Sequence, residues 1–118
     1  MVASTARGLG VRVPEDICPD EGSAVSQGIG GMSVSPDSIW NLPAHRRPRT
    51  MGRGSTGHAC DAVYETTLRA LIPYTLSVRR DPDSPTTHAF VEPALRRPLA
   101  DYQKSIGDSR PMWKKVEP

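Results

Sequence analysis

The stretch YTLSVRRDPDSPTTHAFVEP, residues 74–93, decides the fold class because it contains the clearest pair of strands in the chain. Residues 74–78 alternate with a period of two over aromatic and β-branched side chains, as half-buried strands do. The proline- and aspartate-rich segment 81–85 favours a turn. The run HAFVE (88–92) then predicts a second strand, closed by Pro93. We therefore predict an antiparallel hairpin with a long loop.

Weaker signals on either side of this hairpin complete a small mixed fold. Short apolar runs bounded by turn-forming residues predict further strands at 11–13, 32–35 and 61–64, with one helical turn within 66–71. Leu99, Tyr102 and Ile106 recur at helical spacing behind Pro98, a residue favoured in the first turn of a helix. We therefore predict a C-terminal helix that ends at Gly107.

The composition limits the size of the core. The chain has 118 residues, of which 10 are glycine, 12 are proline and only 36% are hydrophobic. Prolines remove backbone donors and glycines cost conformational order, so the composition excludes long helices. We expect one domain over residues 11–118, preceded by a small polar segment, 1–10, that is mobile.

The charge balance argues against a nucleic-acid partner. Fifteen Lys and Arg residues against 13 Asp and Glu leave a net charge of +2, which is too even to indicate a polyanion-binding protein. No apolar run approaches the ~18 residues of a membrane span, and the first ten residues contain no signal-peptide core. We therefore expect a cytoplasmic protein with no membrane partner, in which Cys18 and Cys60 are free thiols.

The common cofactor and metal motifs are missing from the sequence. Gly52, Gly54 and Gly57 spell G-x-G-x-x-G, but an Arg/Pro-rich loop precedes them where a dinucleotide-binding fold needs a strand. The chain has no Gly-Lys-Ser/Thr phosphate loop, no H-E-x-x-H and no C-x-x-C. His58 and Cys60 are too few ligands to hold a metal, so we expect no metal site.

Four arginines crowd eight positions of an irregular segment, at Arg46, Arg47, Arg49 and Arg53. Guanidinium groups match phosphate oxygens in geometry, so one interpretation is a clamp for an anion. The other interpretation is a solvated loop. Little aromatic interleaving argues against base stacking at this segment.

The segment GGMSVSPD (30–37) combines residue types that can hold a polar ligand. Gly30 and Gly31 permit close backbone approach, and Ser33 and Ser35 project from one face of a short strand. Small hydroxyls on one face can hydrogen-bond a sugar or an amide. An ordinary strand with polar outward residues is the alternative.

The segment TTHAFVEPA (86–94) is the second such place. If it is a strand, His88, Phe90 and Glu92 share one face. A histidine can orient a ribose or phosphate, and a carboxylate can polarise a sugar hydroxyl. A surface histidine and a solvated glutamate are the alternative.

The two segments together resemble the type VI secretion effector toxins that have an ADP-ribosyltransferase-like fold. The resemblance rests on the run Gly30, Gly31, Ser33 and Val34, followed after a long irregular stretch by Thr87, His88, Val91, Pro93 and Ala94. It covers roughly residues 28–116. Members of that family are small toxins that act in the bacterial cytoplasm and are held by a cognate immunity protein.

The resemblance implies an α+β fold: a small split β-sandwich of two antiparallel sheets with a C-terminal helix and a cleft for NAD. It implies an NAD-dependent ADP-ribosyltransferase that modifies an unknown macromolecule in the target-cell cytoplasm and is neutralised by an immunity protein. Ser33 and His88 match the family's toxicity-linked positions, whereas Met32 stands where the family has a threonine.

Further candidate residues complete the predicted site. Glu92 is the candidate catalytic glutamate, from its place on the face of His88, and joins Ser33 and His88 as a catalytic candidate. The candidates for contact with NAD are Arg12, Gly31, Ser35, Arg46 and Arg47. Two other functions stay open: a non-catalytic protein-binding module, such as an immunity or assembly partner, and an RNA or phosphate binder that uses the arginine-rich loop.

Overall fold

The computed structural model describes residues 2–5, 10–59 and 62–116. It is an α+β fold in which antiparallel sheets combine with two helices. The strands are β1 Val2–Thr5, β2 Ala24–Val25, β3 Met32–Pro36, β4 Val63–Thr66, β5 Leu76–Arg80, β6 Ala89–Pro93, β7 Arg97–Pro98 and β8 Lys114–Lys115, and the helices are α1 Leu68–Leu71 and α2 Leu99–Asp108. Six strands form one sheet in the order β5-β6-β3-β1-β4-β8, and β2 pairs with β7 in a second.

The predicted hairpin is confirmed as β5 and β6. Its register pairs Leu76 with Pro93 and Arg80 with Ala89, so the loop covers the eight residues 81–88. The first strand begins two residues later than predicted, because Ile72–Tyr74 forms a 3₁₀ turn that contains a proline and Thr75 has a left-handed backbone. A β-strand cannot continue through that conformation.

The other predicted strands have different outcomes. The strand at 32–35 is confirmed as β3. The one predicted at 61–64 appears as β4 at Val63–Thr66: residue 62 is not part of the strand, and residue 61 is outside the described residues. The strand predicted at 11–13 is wrong: Asp16 accepts a hydrogen bond from the Arg12 backbone N–H at 2.7 Å and donates its own N–H to the Arg12 carbonyl at 2.8 Å. These bonds close a turn, and the strand cannot form.

The N-terminus differs from the mobile segment that the sequence predicts. Residues 2–5 form β1, which lies between β3 and β4 inside the six-stranded sheet. The register pairs Ala3 with Ser35 on one side and with Glu65 on the other. Residues 1 and 6–9 are outside the described residues. The composition suggested mobility because these four small residues carry little strand signal. Backbone hydrogen bonds to β3 on one side and β4 on the other hold the segment in the sheet.

Both predicted helical segments are confirmed. The short helix α1 begins after Thr67, whose hydroxyl accepts a hydrogen bond from the Ala70 N–H at 3.2 Å, a normal N-cap contact. The helix α2 begins after Pro98 but does not end at Gly107. It continues through Asp108, and the Ser109 hydroxyl donates to the Ile106 carbonyl at 2.7 Å, which satisfies one of the free carbonyls at the helix end.

The main core lies between α2 and one face of the sheet. It contains Met32 and Val34 of β3, Ala89 and Val91 of β6, Leu76 of β5, and Tyr102 and Ile106 of α2, together with Ile17, Val25, Leu71 and Trp113. A second, smaller cluster joins Leu42 and Val63, with Ile39, Met51 and Val116 packed against it. The alternation of side chains in β4 puts Tyr64 on the main core and Val63 on the second cluster, so the two cores cover opposite faces of the sheet.

Within the described ranges, no helix is long and apolar enough to cross a bilayer.

Candidate functional site

Ser33 lies on the same side of the sheet as Phe90 and His88 of the hairpin. Because Met32 and Val34 point into the main core, Ser33 points to the opposite face, where it is exposed. The register of β3 and β6 places Ser33 directly opposite Phe90. On the other side of Phe90, β5 contributes Arg79 as its register partner. Ser33, Phe90 and Arg79 therefore form one row across three strands.

His88 joins this row through the Phe90 ring. The two ring centroids are 4.8 Å apart with an angle of 66° between the planes, an edge-to-face contact. The His88 Nδ1 lies 2.7 Å from Asp81 Oδ2, at the start of the same hairpin loop. This hydrogen bond and the ring contact hold the imidazole in one orientation, with about a third of the side chain exposed.

Asp81 determines which nitrogen of His88 carries a proton. The hydrogen bond with His88 is the main cause that holds the pKa of Asp81 below its usual value of 3.8, and the Asp83 backbone N–H, at 2.9 Å, adds to it. The carboxylate is ionised at neutral pH and can only accept, so Nδ1 must donate. The Nε2 of His88 is then the ring nitrogen available to a ligand.

Glu92 lies next to Phe90 on the same face of the sheet, two residues along β6, and only 3% of its surface is exposed. Its Oε2 accepts one hydrogen bond from Arg79 Nε at 3.1 Å and another from the Gly28 backbone N–H at 2.9 Å. The Arg79 guanidinium also lies over the Phe90 ring, 4.8 Å from its centroid. Glu92 therefore fixes Arg79, whose side chain is 31% exposed. Neither terminal nitrogen of Arg79 has a hydrogen-bond acceptor among the described residues.

The paired glycines approach the protein's own backbone. A Cβ on Gly30 would clash with the Asp16 carbonyl, and one on Gly31 would clash with the Val91 carbonyl and lie 3.1 Å from the Tyr102 hydroxyl. The Gly31 N–H donates to the Asp16 carbonyl at 2.9 Å. These positions need glycine for packing against neighbouring chain segments, on the side of the sheet that faces the main core.

Two other predicted NAD contacts lie apart from the row. Ser35 is on the face of Ser33, two residues along β3, but it is 97% buried. Arg12 lies in the turn that Asp16 closes, with its guanidinium bonded to that carboxylate at 3.1 Å and its side chain 73% exposed. The structure does not place Arg12 on a strand of the sheet.

Arg46 and Arg47 belong to the loop that covers the second cluster. Arg46 is exposed at the end of a 3₁₀ turn, and Arg47 is half-buried, with its guanidinium 5.1 Å from the centre of the Trp40 ring. Ala3 pairs with both Ser35 and Glu65, so Ser33 and Val63 share one face of the sheet. Met51 of the arginine-rich loop packs against the cluster that contains Val63, and the loop therefore lies on the same side of the sheet as Ser33.

Sequence reasoning missed Arg79 and Asp81. Asp81 lies in the predicted turn cluster, and the observed register sets Ser77, two residues before Arg79, against Glu92. Alternation along β5 puts Arg79 on the face of Phe90 and Glu92, but a hairpin loop of unknown length hides this pairing in the sequence.

Comparison with protein-family models, curated proteins and solved structures finds no match for this chain. The described residues contain no group of three or more His, Cys, Asp or Glu side chains that could hold a metal ion. Cys18 is exposed and free, and Cys60 is outside the described residues. The geometry of the Ser33 face carries the functional argument.

Proposed function

We propose that this protein is an NAD-utilising, ADP-ribosyltransferase-like toxin that binds NAD on the face of Ser33, Phe90 and His88. One observation carries the proposal: two residues 55 positions apart, selected for their resemblance to toxicity-linked positions, lie on one side of the sheet and contact or face the same aromatic ring. The ADP-ribosyltransferase-like assignment of the fold is part of this proposal. An α+β fold with antiparallel sheets and a C-terminal helix supports it.

Each side chain of the row has a role that suits its chemistry. The Ser33 hydroxyl can donate to and accept from a ribose hydroxyl, and His88 Nε2 can accept from another. Arg79 supplies a guanidinium for the pyrophosphate. We assign this role to Arg79 rather than to Arg46 or Arg47. Arg79 is the register partner of Phe90, and Phe90 contacts His88 and pairs with Ser33.

Glu92 has a positioning role in this proposal. Its contacts are to Arg79 and to Gly28, and its burial keeps it from a substrate that lies on the sheet. It aligns the Arg79 guanidinium and leaves the terminal nitrogens for phosphate oxygens. The candidate catalytic glutamate of the sequence prediction thus acts through another residue.

The reaction breaks the bond between C1′ of the ribose and the ring nitrogen of nicotinamide. The bonding electron pair leaves with nicotinamide, which becomes neutral. A nucleophilic atom of the target macromolecule bonds to C1′ with its lone pair and releases its proton to solvent. The row accelerates this step by holding the ribose and the pyrophosphate in one geometry while the positive charge develops on the ribose.

Nicotinamide release and NAD binding test the proposal. We expect the protein to bind NAD in calorimetry and to release nicotinamide when a target is present, and expect Ser33→Ala and His88→Ala each to lower the release about 10²-fold. Ser84→Ala and Gln103→Ala are the controls, because both residues are exposed and lie outside the row and outside the arginine-rich loop. If the unaltered protein neither binds NAD nor releases nicotinamide, the NAD proposal is refuted.

Induced expression tests the biological side of the proposal. A toxin should arrest a bacterial host when its synthesis is induced in the cytoplasm, and Ser33→Ala or His88→Ala should relieve the arrest. A cognate immunity protein, as the resemblance implies, should restore growth when it is produced together with the unaltered toxin. A harmless unaltered protein would favour the non-catalytic binding module.

A further inference from the structure

The net positive charge of this protein comes from one loop. Between Asp37 and Asp61 the sequence has no acidic residue, and the same stretch contains four arginines. Without these four the chain would have 11 basic residues, 15 minus 4, against 13 acidic ones, a net charge of −2. The nearly even charge of the whole chain therefore conceals a basic loop on a protein that is otherwise slightly acidic.

None of the four arginines in this loop forms an ion pair with a described acidic residue. The described salt bridges of arginine involve Arg12, Arg79, Arg80 and Arg96. Arg46, Arg49 and Arg53 are exposed, and none of them has an acidic partner in the part of the chain that the structure describes. A cluster of like charges on eight positions is unfavourable unless an anion compensates it.

The backbone of the loop is held firmly despite its irregular sequence. Pro48 and Gly57 form a parallel bridge, in which the Arg49 N–H donates to the Gly57 carbonyl at 3.0 Å. The Gly57 N–H donates to the Arg47 carbonyl at 2.8 Å, and a Cβ on Gly57 would lie only 2.6 Å from that oxygen. Met51 ties the loop to the second cluster. The arginines therefore start from a fixed scaffold, which lowers the entropy lost when a ligand binds.

Trp40 organises two of these arginines. The Arg53 guanidinium lies 4.3 Å and the Arg47 guanidinium 5.1 Å from the centre of its ring, both within cation–π range. The Arg47 Nε is buried and has no hydrogen-bond acceptor among the described residues. Arginine planes held in this way can contact phosphates and can stack on bases.

We propose that the loop 43–57 binds the phosphodiester backbone of a nucleic acid. Four separated cations exceed what a single pyrophosphate needs, and they suit a chain with one charge per nucleotide. A stable protein partner would require an apolar anchor at the centre of its interface. The described large hydrophobic residues that are exposed, which are Val13, Ile29, Leu68, Ile72 and Leu95, all lie outside the loop.

The inference does not rest on NAD binding, but it gives the proposed function a class of target. The loop and Ser33 are on the same side of the sheet, so a strand held by the arginines would lie on the side where the ribose reacts. Nucleic-acid binding without NAD binding, or the reverse, would separate the two proposals.

Fluorescence anisotropy with a labelled 20-nucleotide single strand, as RNA and as DNA, tests this site. With about four phosphate contacts, the slope of log K against log salt should be about −2.8, so affinity should fall about 50-fold between 50 and 200 mM salt. The triple variant Arg46→Gln, Arg49→Gln and Arg53→Gln should retain a slope of about −0.7. The RNA and DNA arms show whether the sugar contributes to a shared phosphate site.

A charge-matched variant controls for total charge. Arg69→Gln, Arg110→Gln and Lys115→Gln removes the same three charges from exposed positions outside the loop and should keep the salt slope of the unaltered protein. The proposal fails if the unaltered protein does not bind at 50 mM salt, or if both triple variants lose affinity equally. Equal affinity for a polyglutamate peptide of the same charge would also overturn it, in favour of an acidic protein.

Discussion

Tyr102→Phe removes one buried hydroxyl that joins the helix to both strands of the site. The Tyr102 hydroxyl donates to the Val91 carbonyl of β6 and accepts from the Met32 N–H of β3 at 3.1 Å. Tyr102 is fully buried. These two bonds hold β3 beside β6 at the pair next to Ser33 and Phe90. The substitution keeps the ring in the core and deletes only the polar contact.

The expected loss of stability comes from the Val91 carbonyl and the Met32 N–H, which lose the Tyr102 hydroxyl as their hydrogen-bond partner. A buried donor or acceptor that loses its partner costs about 1–3 kcal/mol, so the two bonds together contribute about 2–6 kcal/mol. A domain of this size is stable by roughly 6–18 kcal/mol. The variant should therefore still fold, with a midpoint of thermal unfolding lower by on the order of 10 °C.

Urea unfolding followed by circular dichroism measures this difference. The slope against denaturant should stay unchanged, because the surface exposed on unfolding is the same. Tyr74→Phe is the matched control: its ring is half-buried, and its hydroxyl has no hydrogen bond to a described residue. The control should stay within about 0.5 kcal/mol of the unaltered protein. A Tyr102→Phe variant as stable as the control would refute the conclusion that the Tyr102 hydroxyl holds β3 beside β6.

High pH provides an independent check of the same group. Burial raises the pKa of Tyr102 above its usual value of 10.0. The unfolded chain then ionises before the folded protein does, so the stabilisation is complete below pH 10 and is lost as the pH rises. The loss can reach about 1.4 kcal/mol per pH unit. Tyr102→Phe should lose stability less steeply above pH 10, and equal slopes would contradict the burial of the hydroxyl.

Three further substitutions test the packing around the site. Gly30→Ala should destabilise the protein by about 3 kcal/mol in urea unfolding, because the backbone has φ +123° and a Cβ would clash with a main-chain carbonyl; an unchanged midpoint would contradict this packing. Glu92→Gln should cost about 1–3 kcal/mol and weaken NAD binding in calorimetry, since it loosens Arg79, and unchanged NAD affinity would remove its positioning role. The lowered pKa of Asp81, caused mainly by its bond with His88, stabilises the folded protein above pH 3.8 and stops doing so as the pH falls. Asp81→Asn should therefore be less stable than the unaltered protein at pH 7, and a difference that persists below that range would contradict the ionic hydrogen bond.

Local patterns determined most of the secondary structure. Alternation in 74–93 predicted β5 and β6, and a proline before apolar residues at helical spacing predicted α2. These signals succeed because each depends on neighbours within one element. The prediction of a strand at 11–13 was wrong because it used only the composition of those three residues. A residue beyond them, Asp16, closes a turn on Arg12.

The candidate site was partly accessible from the sequence. Period-two alternation placed His88, Phe90 and Glu92 on one face, and the structure keeps the Phe90–His88 and Glu92–Arg79 contacts on that face. The partners of these side chains could not be predicted, because the register of the hairpin and the strand order β6-β3-β1 depend on pairing across long separations.

The sequence by itself determined an α+β chain with a hairpin, a C-terminal helix, a small core and a basic loop, because those properties follow from local spacing and composition. Only the tertiary structure decided that Ser33 faces Phe90 and that Glu92 is buried against Arg79. It also decided that the arginine-rich loop lies on the same side of the sheet as Ser33. The physical reason is that hydrogen-bond register and burial are properties of the whole sheet, whereas alternation and helical spacing are properties of each segment.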